Sequence, residues 1–370
     1  MYDNSNQLKI INEPKISVIT VVFVIYSFGL VFLYDAIPKV TMDNNIGISS
    51  YLSKQIVFGI IGLVFMFIAY KIPLSYIKKY GYHILVLGLL LMLSVFIPPI
   101  SVSAGGATRW IGMTGLTFQP SEFMKLAFII YLSKSLPQKG KDLHNFTYGF
   151  LPYLIILFII TVILLAQKDL GSIIVMGIVL ILMLFVGGVP FRYLFSLVLL
   201  ISVIGGLGIF LERYRLLRVI AFFNPWKYSE TFGYQQTQSF LAYANGGITG
   251  KAGGSLSKLY YLPKAHTDFI FSIVGEDGGL LVVTLFIILF GLLLYFGFKI
   301  AEMHKDRFGM LMAFGITALL GTEIIINISV TVGLLPNKGL PLPFISYGGS
   351  NLLMSFIMVG LLANLGRKYE

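Results

Sequence analysis

The chain has 370 residues, of which 57% are hydrophobic and only 12% charged, and its mean hydropathy is +0.87. Soluble domains carry about 25% charged residues, so these proportions exclude a soluble globular protein and point to an all-α, polytopic membrane chain. The net charge of +11 would suit nucleic acid, but most Lys and Arg lie in short loops between apolar runs, where they set membrane topology, so no nucleic-acid partner is expected.

A membrane-spanning helix needs about 20 apolar residues. In chain order, the runs are Ile16–Ile37, Gln55–Tyr70, Gly81–Ile100, Ser121–Leu136, Tyr148–Ala166, Leu170–Val189, Tyr193–Leu211, Gly278–Ile300, Phe308–Val332 and Asn351–Leu365. The first is too long for a signal-peptide core and lacks a small-residue cleavage site, so it is read as a span. The fourth is weaker, because it carries Glu122 and Lys125. Ten spans place Lys9, Lys15, Lys71, Lys78, Lys79, Lys134, Lys139, Lys141, Arg192, Lys299, Lys305, Arg307, Arg367 and Lys368 on one face, which the positive-inside rule makes cytoplasmic. Omitting the fourth span scrambles that pattern. Both termini are then cytoplasmic. Three polar segments lie outside: Ser101–Pro120, the long loop 212–268 between spans seven and eight, and Leu334–Gly349. No internal repeat and no second domain are visible, so residues 1–370 read as one transmembrane domain.

Several polar residues in and beside these segments could carry chemistry. Arg109, an obligate cation suited to phosphate, follows Gly105 and Gly106. Gln119-Pro120-Ser121-Glu122 reads as a helix start, and Glu122 and Lys125, three apart, share a face, so a capped helix with an internal ion pair is the bland alternative. Arg213, Arg215 and Arg218 open the long loop and could grip an anionic head group or a pyrophosphate, or serve as interfacial anchors. Gln235, Ser239 and the glycines Gly246, Gly247 and Gly250 follow, without the Gly-Lys-Ser/Thr of a nucleotide loop.

The segment 261–279, YLPKAHTDFIFSIVGEDGG, is the most informative. Ionisable groups at membrane depth are costly and mark function by default. Asp268 stands between a loop and an apolar run. It can act as a general base tuned by His266, or as a helix N-cap. Glu276 and Asp277 follow two turns later, as candidate partners for Lys125, Lys338 or an arginine. The last polar segment has three Pro and three Gly within PNKGLPLPFISYGG. It cannot be regular helix, and such backbone survives at membrane depth only where it is buried or lines a cavity, here with Lys338, Ser346 and Tyr347. Glu323 and Asn327 share a face of span nine. The chain has no Cys, and its four His lack the HExxH spacing of a metalloprotease.

Six motifs, GGATRWIG, FQPSEFMKLA, YRLLRVIAFFNPW, GYQQTQS, LPKAHTDFIFSIVGE and LPNKGLPLPFISYGGS, occur in this order. Together they resemble the SEDS family (shape, elongation, division and sporulation), the bacterial FtsW and RodA proteins, over nearly the whole chain. The last motif and SLSKLYYLPKAHTDF resemble the FtsW and sporulation branch more than RodA. Lys168, Ser172, Glu323 and Tyr34-Asp35-Ala36 depart from the usual family pattern.

The resemblance implies a peptidoglycan glycosyltransferase that polymerises lipid II on the outer face of the bacterial cytoplasmic membrane, with undecaprenyl pyrophosphate as leaving group. Asp268 matches the essential loop aspartate, Glu122 and Lys125 match a polar pair below it, and Arg109, Arg215 and Arg218 match positions suited to the pyrophosphate. Gln235, Ser239, His266, Lys338 and Ser346 complete the substrate-binding set so implied. The expected partners are a class B penicillin-binding protein and other membrane proteins of the division complex, and the expected place is the septum. No cofactor is fixed, and a divalent cation, Mg or Mn, stays open. The competing readings are a lipid II flippase using the same polar cavity, and a non-catalytic scaffold. The concentration of polar residues on the outer side favours chemistry, since a flippase needs a polar route across the bilayer.

Overall fold

The computed structural model describes residues 14–36, 48–104, 106–113, 116–210, 213–251 and 265–367. Each of the ten apolar runs overlaps a helix: α1 (Pro14–Ala36), α2 (Ile48–Lys71), α3 (Leu74–Ser94), α4 (Pro120–Lys139), α5 (Leu151–Ala166), α6 (Leu170–Gly187), α7 (Phe191–Phe210), then α10 (Ile270–Met303), α11 (Arg307–Thr331) and α12 (Gly349–Leu365). Between α7 and α10, within 212–268, lie α8 (Arg213–Phe223) and α9 (Tyr234–Gly246). Lys9, Gly105, Lys368 and the loop stretch 252–264 fall outside the described residues.

Among the described residues, seven helices are long and apolar enough to cross a membrane: α1, α2, α3, α5 with the turn before it, α6, α10 and α11. The chain is thus a mainly helical, polytopic membrane protein. α4 does not qualify, because its charges lower its hydropathy. α12 is shorter, at 17 residues. α11 is the most enclosed, with 83% of its apolar window buried against 22–50% in the other six. It packs against α4, α6 and α10, while α12 lies against α1 and α2.

Three expectations need correction. The chain is not wholly α-helical, for the segment expected as the first outer loop folds as a three-stranded antiparallel meander, β1 (Ser101–Ala104), β2 (Ala107–Met113) and β3 (Leu116–Phe118). The register pairs Val102 with Trp110 and Ile111 with Phe118, so β-prone side chains meet across the strands. The third helix starts at Leu74, just after Pro73, where the fixed proline φ ends one helix and admits the next. The eighth apolar run is the C-terminal part of a 34-residue helix, far beyond the about 20 residues a span needs.

That helix, α10, kinks at Gly279, whose φ of 64° and ψ of −170° are not helical. A kink strips donors from the helical ladder. Here the long loop supplies the acceptors: Leu280 N–H donates to Gly247 O at 2.9 Å and Leu281 N–H to Ile248 O at 3.2 Å, while Lys251 N–H donates to Glu276 O at 3.1 Å. This backbone-to-backbone docking needs bare Cα atoms. A Cβ on Gly250, whose φ is +78°, would lie 2.2 Å from Asp277 O.

Gly250→Ala is therefore expected to destabilise the protein by about 1–3 kcal/mol through overpacking alone, with strain from the left-handed backbone added. Gly291→Ala, where a Cβ meets nothing within 4 Å, is the control. Thermal unfolding in detergent should separate the two, and equal midpoints would show that the loop is not docked through this contact.

Candidate active site between two loop segments

Asp268 sits in the turn 265–269 just ahead of α10. The residue at the N-cap position is Phe269, so Asp268 stands one residue ahead of the expected N-cap place. It is only 7% exposed. The carbonyls of His266, Thr267 and Asp268 each accept a hydrogen bond from elsewhere: from Tyr347 N–H at 2.8 Å, from Ser346 Oγ at 2.5 Å and from Asn327 Nδ2 at 3.0 Å. Asn327 Nδ2, from the C-terminal half of α11, also donates to Leu340 O at 2.7 Å. One amide thus clamps the Asp268 turn to the proline-rich segment 334–347.

That segment is irregular because Pro336, Pro341 and Pro343 lack N–H donors. Side chains take up some of its other polar groups. Leu342 N–H donates to Ser346 Oγ at 2.8 Å. Gln55 of α2, buried at 1% exposure, donates to Ser346 O at 3.1 Å and accepts from Gly348 N–H at 3.3 Å. Gly339 has φ 68°, and a Cβ there would lie 3.4 Å from Asp268 Oδ2, so the bare Cα borders the carboxylate. His266 packs edge-on against Tyr51 and is tilted against Tyr347, with ring centroids 5.9 and 5.7 Å apart. Gln55 is a site residue that the motifs miss; its one signal in the sequence is a lone amide opening an apolar run.

Deeper in the bundle, Lys125 Nζ bonds Glu122 Oε1 at 2.9 Å and also pairs with Glu323 Oε1. Asn351 Nδ2 donates to Glu122 Oε2 at 3.1 Å. All are buried. The expectation of Lys125 as a partner for Glu276 or Asp277 is corrected: the ammonium is held between Glu122, one turn away on α4, and Glu323 on α11. Its three N–H donors suit that geometry. Glu276 and Asp277 are buried at the start of α10, beside the docked loop.

Arg109, on β2, donates from Nε to Gln167 O at 3.4 Å and from its guanidinium to Lys168 O. These carbonyls close α5, where a cation complements the helix C-terminus. Gln167 is itself buried and donates to Met92 O at 2.8 Å. Asp169, between the departing residues Lys168 and Ser172, caps α6. It accepts from Ser172 N–H at 3.2 Å and Ser172 Oγ at 2.8 Å, and also from Ser121 Oγ at 3.3 Å and Gln119 Nε2 at 3.2 Å. An Asp just before an apolar run is a cap signal, and its extra bonds tie α6 to the start of α4.

A cavity of about 430 Å³ lies beside Phe269, the neighbour of Asp268, and is lined by Arg218, Phe222, Tyr234, Gln235 and Asn337 among others. Arg218 and Gln235 thus share one space. The side chain of Arg215, also on α8, is outside the described residues. Ser239 is fully buried. It bonds Ser272 Oγ at 2.6 Å and donates to Thr331 O at 2.6 Å, so it joins α9 to α10 and α11 and has no exposed face for a substrate. Tyr243 adds a bond to Thr331 Oγ1 at 2.9 Å, and burial pushes its phenol up to about 12. Lys338 is half-buried, and its carbonyl packs against Gly171 at the start of α6. Among the described residues no three His, Asp or Glu side chains come together to hold a metal ion.

The chain as a whole is similar to known proteins. The family model described as "Cell cycle protein", covering FtsW, RodA and SpoVE, matches residues 15–370. The "Probable peptidoglycan glycosyltransferase FtsW" of Geobacter metallireducens is 40% identical over 98% of this chain and 97% of its own. "Stage V sporulation protein E" of Bacillus subtilis is 36% identical over 96% and 97%. A chain of a solved structure described as "Structural coordination of polymerization and crosslinking by a peptidoglycan synthase complex" aligns with TM-score 0.80 at 25% identity, covering 95% of this chain and 98% of that one. RodA, the rod shape determining protein of Thermus thermophilus, aligns with TM-score 0.71 at 25% identity over 95% and 97%. On the match across residues 15–370, the chain belongs to the FtsW, RodA and SpoVE family of cell cycle proteins.

Proposed function

We propose that the protein is a peptidoglycan glycosyltransferase that polymerises lipid II during division, with Asp268 as general base. The observation that carries this is the hold on the Asp268 turn. Three consecutive carbonyls are fixed from α11 and the segment 334–347, which leaves the carboxylate of a nearly buried aspartate beside the bare Cα of Gly339. The names of the Geobacter and Bacillus relatives support the same reading.

In the proposed step, Asp268 takes the proton of an acceptor sugar hydroxyl as its oxygen attacks the anomeric carbon of the donor. The bond from that carbon to the phosphate oxygen breaks, and the electron pair leaves with undecaprenyl pyrophosphate. Arg218, Arg215 and Lys338 offer cations for the developing negative charge. Arg109, engaged by the carbonyls that close α5, acts by holding the β-meander over the α5–α6 turn. The triad of Glu122, Lys125 and Glu323 forms a rigid polar floor. The full topology in this reading has ten spans, α4, α7 and α12 included. Both termini are cytoplasmic, and 212–268 lies outside, where a lipid-linked sugar would be met. A class B penicillin-binding protein is the proposed partner. The similarity to a chain of a complex that coordinates polymerization with crosslinking supports this.

Asp268→Asn keeps the size and hydrogen-bond acceptor but cannot take a proton. It is expected to lower lipid II polymerisation by about 100-fold or more, with the protein still folded, since Asn keeps the size and the acceptor. Chain growth in detergent and lipid II translocation in vesicles separate the readings. Normal polymer with lost translocation would replace catalysis by transport.

For topology, a single cysteine in this Cys-free chain at the exposed position Glu230 should react with an impermeant thiol reagent added to intact cells stripped of outer layers. Reaction only in inverted vesicles would overturn the orientation. Lys125→Ala strands two buried carboxylates and is expected to cost about 3–5 kcal/mol, read as lower folded yield and a lower midpoint in detergent. An unaltered midpoint would mean that the triad does not hold the bundle.

A further inference from the structure

Asn337 joins three parts of the site through one side chain. Its Nδ2 donates to Gln235 Oε1 on α9 at 2.7 Å, and its Oδ1 accepts from Gly339 N–H at 2.9 Å. Gly339 is the residue whose bare Cα borders Asp268 Oδ2. The next residue, Leu340, is held through its carbonyl by Asn327, the same amide that holds the Asp268 carbonyl. The turn at Gly339 is therefore pinned from the bundle by Asn327 and from the loop by Asn337. Asn337 and Gln235 also line the 430 Å³ cavity, together with Phe269.

We propose that Asn337 is a positioning residue for the base, transmitting the placement of α9 and of whatever fills the cavity to the wall of the Asp268 carboxylate. A left-handed turn at Gly339 is open to several backbone alternatives. The side-chain acceptor two residues earlier selects one of them. The bond to Gln235 then sets where that turn stands relative to α9. When the cavity is filled, contact with Gln235 shifts Asn337, and the Gly339 wall moves with it. Displacements of about 1 Å at a reacting centre cost up to about 100-fold in rate, so a single amide is enough to couple loop and base.

The inference rests on Asp268 being the base, and the test separates the two. Polymerisation of labelled lipid II by the full chain, co-purified with its crosslinking partner, is measured as kcat, KM and pH profile. Asn337→Ala is expected to lower kcat about tenfold or more, with KM changed less than about twofold and the acid limb of the pH profile displaced. Asn337→Ser keeps an acceptor for Gly339 N–H but cannot reach Gln235, and should recover part of the loss. In the Asp268→Asn background, Asn337→Ala should lower the residual rate no further. If Asn337→Ala misfolds, Asn337→Ser and Gln235→Ala carry the same comparison.

Unchanged kcat, a rise in KM alone, or an equal loss in the Asp268→Asn background would each overturn the proposal. If Asp268→Asn itself polymerises normally, it is the base assignment that fails.

Discussion

The site depends on a row of carbonyls. His266, Thr267 and Asp268 expose three consecutive acceptors in a turn with no helical ladder, and each is met by a donor from a distant part of the chain. An unmet backbone acceptor away from water costs about 1–3 kcal/mol, and near membrane depth irregular backbone persists only when it is satisfied internally. The donors are therefore what allows the turn to stay buried. They also fix its orientation, because a backbone N–H, a hydroxyl and an amide approach from different directions. The proline-rich segment 334–347 is shaped to the same end. With Pro336, Pro341 and Pro343 removed as donors, Tyr347 N–H and Ser346 Oγ are left to face the Asp268 turn, while Gln55 steadies their own backbone from α2.

Burial of charge follows a parallel logic one level down. Lys125, Glu122 and Glu323 would each be prohibitive alone in the bundle, and together they hold α4 against α11. Such a cluster adds little net stability over apolar packing, but loss of any member is severe. It places the charges inside a helix that is buried almost all round from Pro120 to Leu136.

Much of the fold is legible in the sequence because helices are local. Apolar runs predict each of the ten long helices, and Pro73 marks a boundary. Of the loop glycines, Gly246 and Gly250 are positions of close backbone approach and Gly247 is not. Partners far apart in the chain are not legible. Nothing in periodicity joins Lys125 to Glu323 across 198 residues, or Gln55 to Ser346 across 291. The meander is concealed because β1 and β3 are four and three residues long, too short for alternation to stand out. Asp268, Glu122 and Lys125 are conspicuous, being charges in apolar surroundings. Asp169 and Gln167 lie in a stretch noted only for its departures at Lys168 and Ser172, and neither side chain shows in sequence which distant group it meets. Ser239 stands out only through its motif and lies wholly inside, since a hydroxyl in sequence carries no mark of which way it faces.

The charged triad also bears on how the protein is made. α4 is synthesised long before α11, and at that stage Glu323 does not exist to meet Lys125. The i, i+3 bond from Lys125 to Glu122 lies within α4 itself, so the nascent helix carries its own counter-ion. It can enter the bilayer, or wait at its edge, as a neutral pair. α11 then brings a second carboxylate and α12 the amide of Asn351 to Glu122, so the order of translation is the order in which these partners become available.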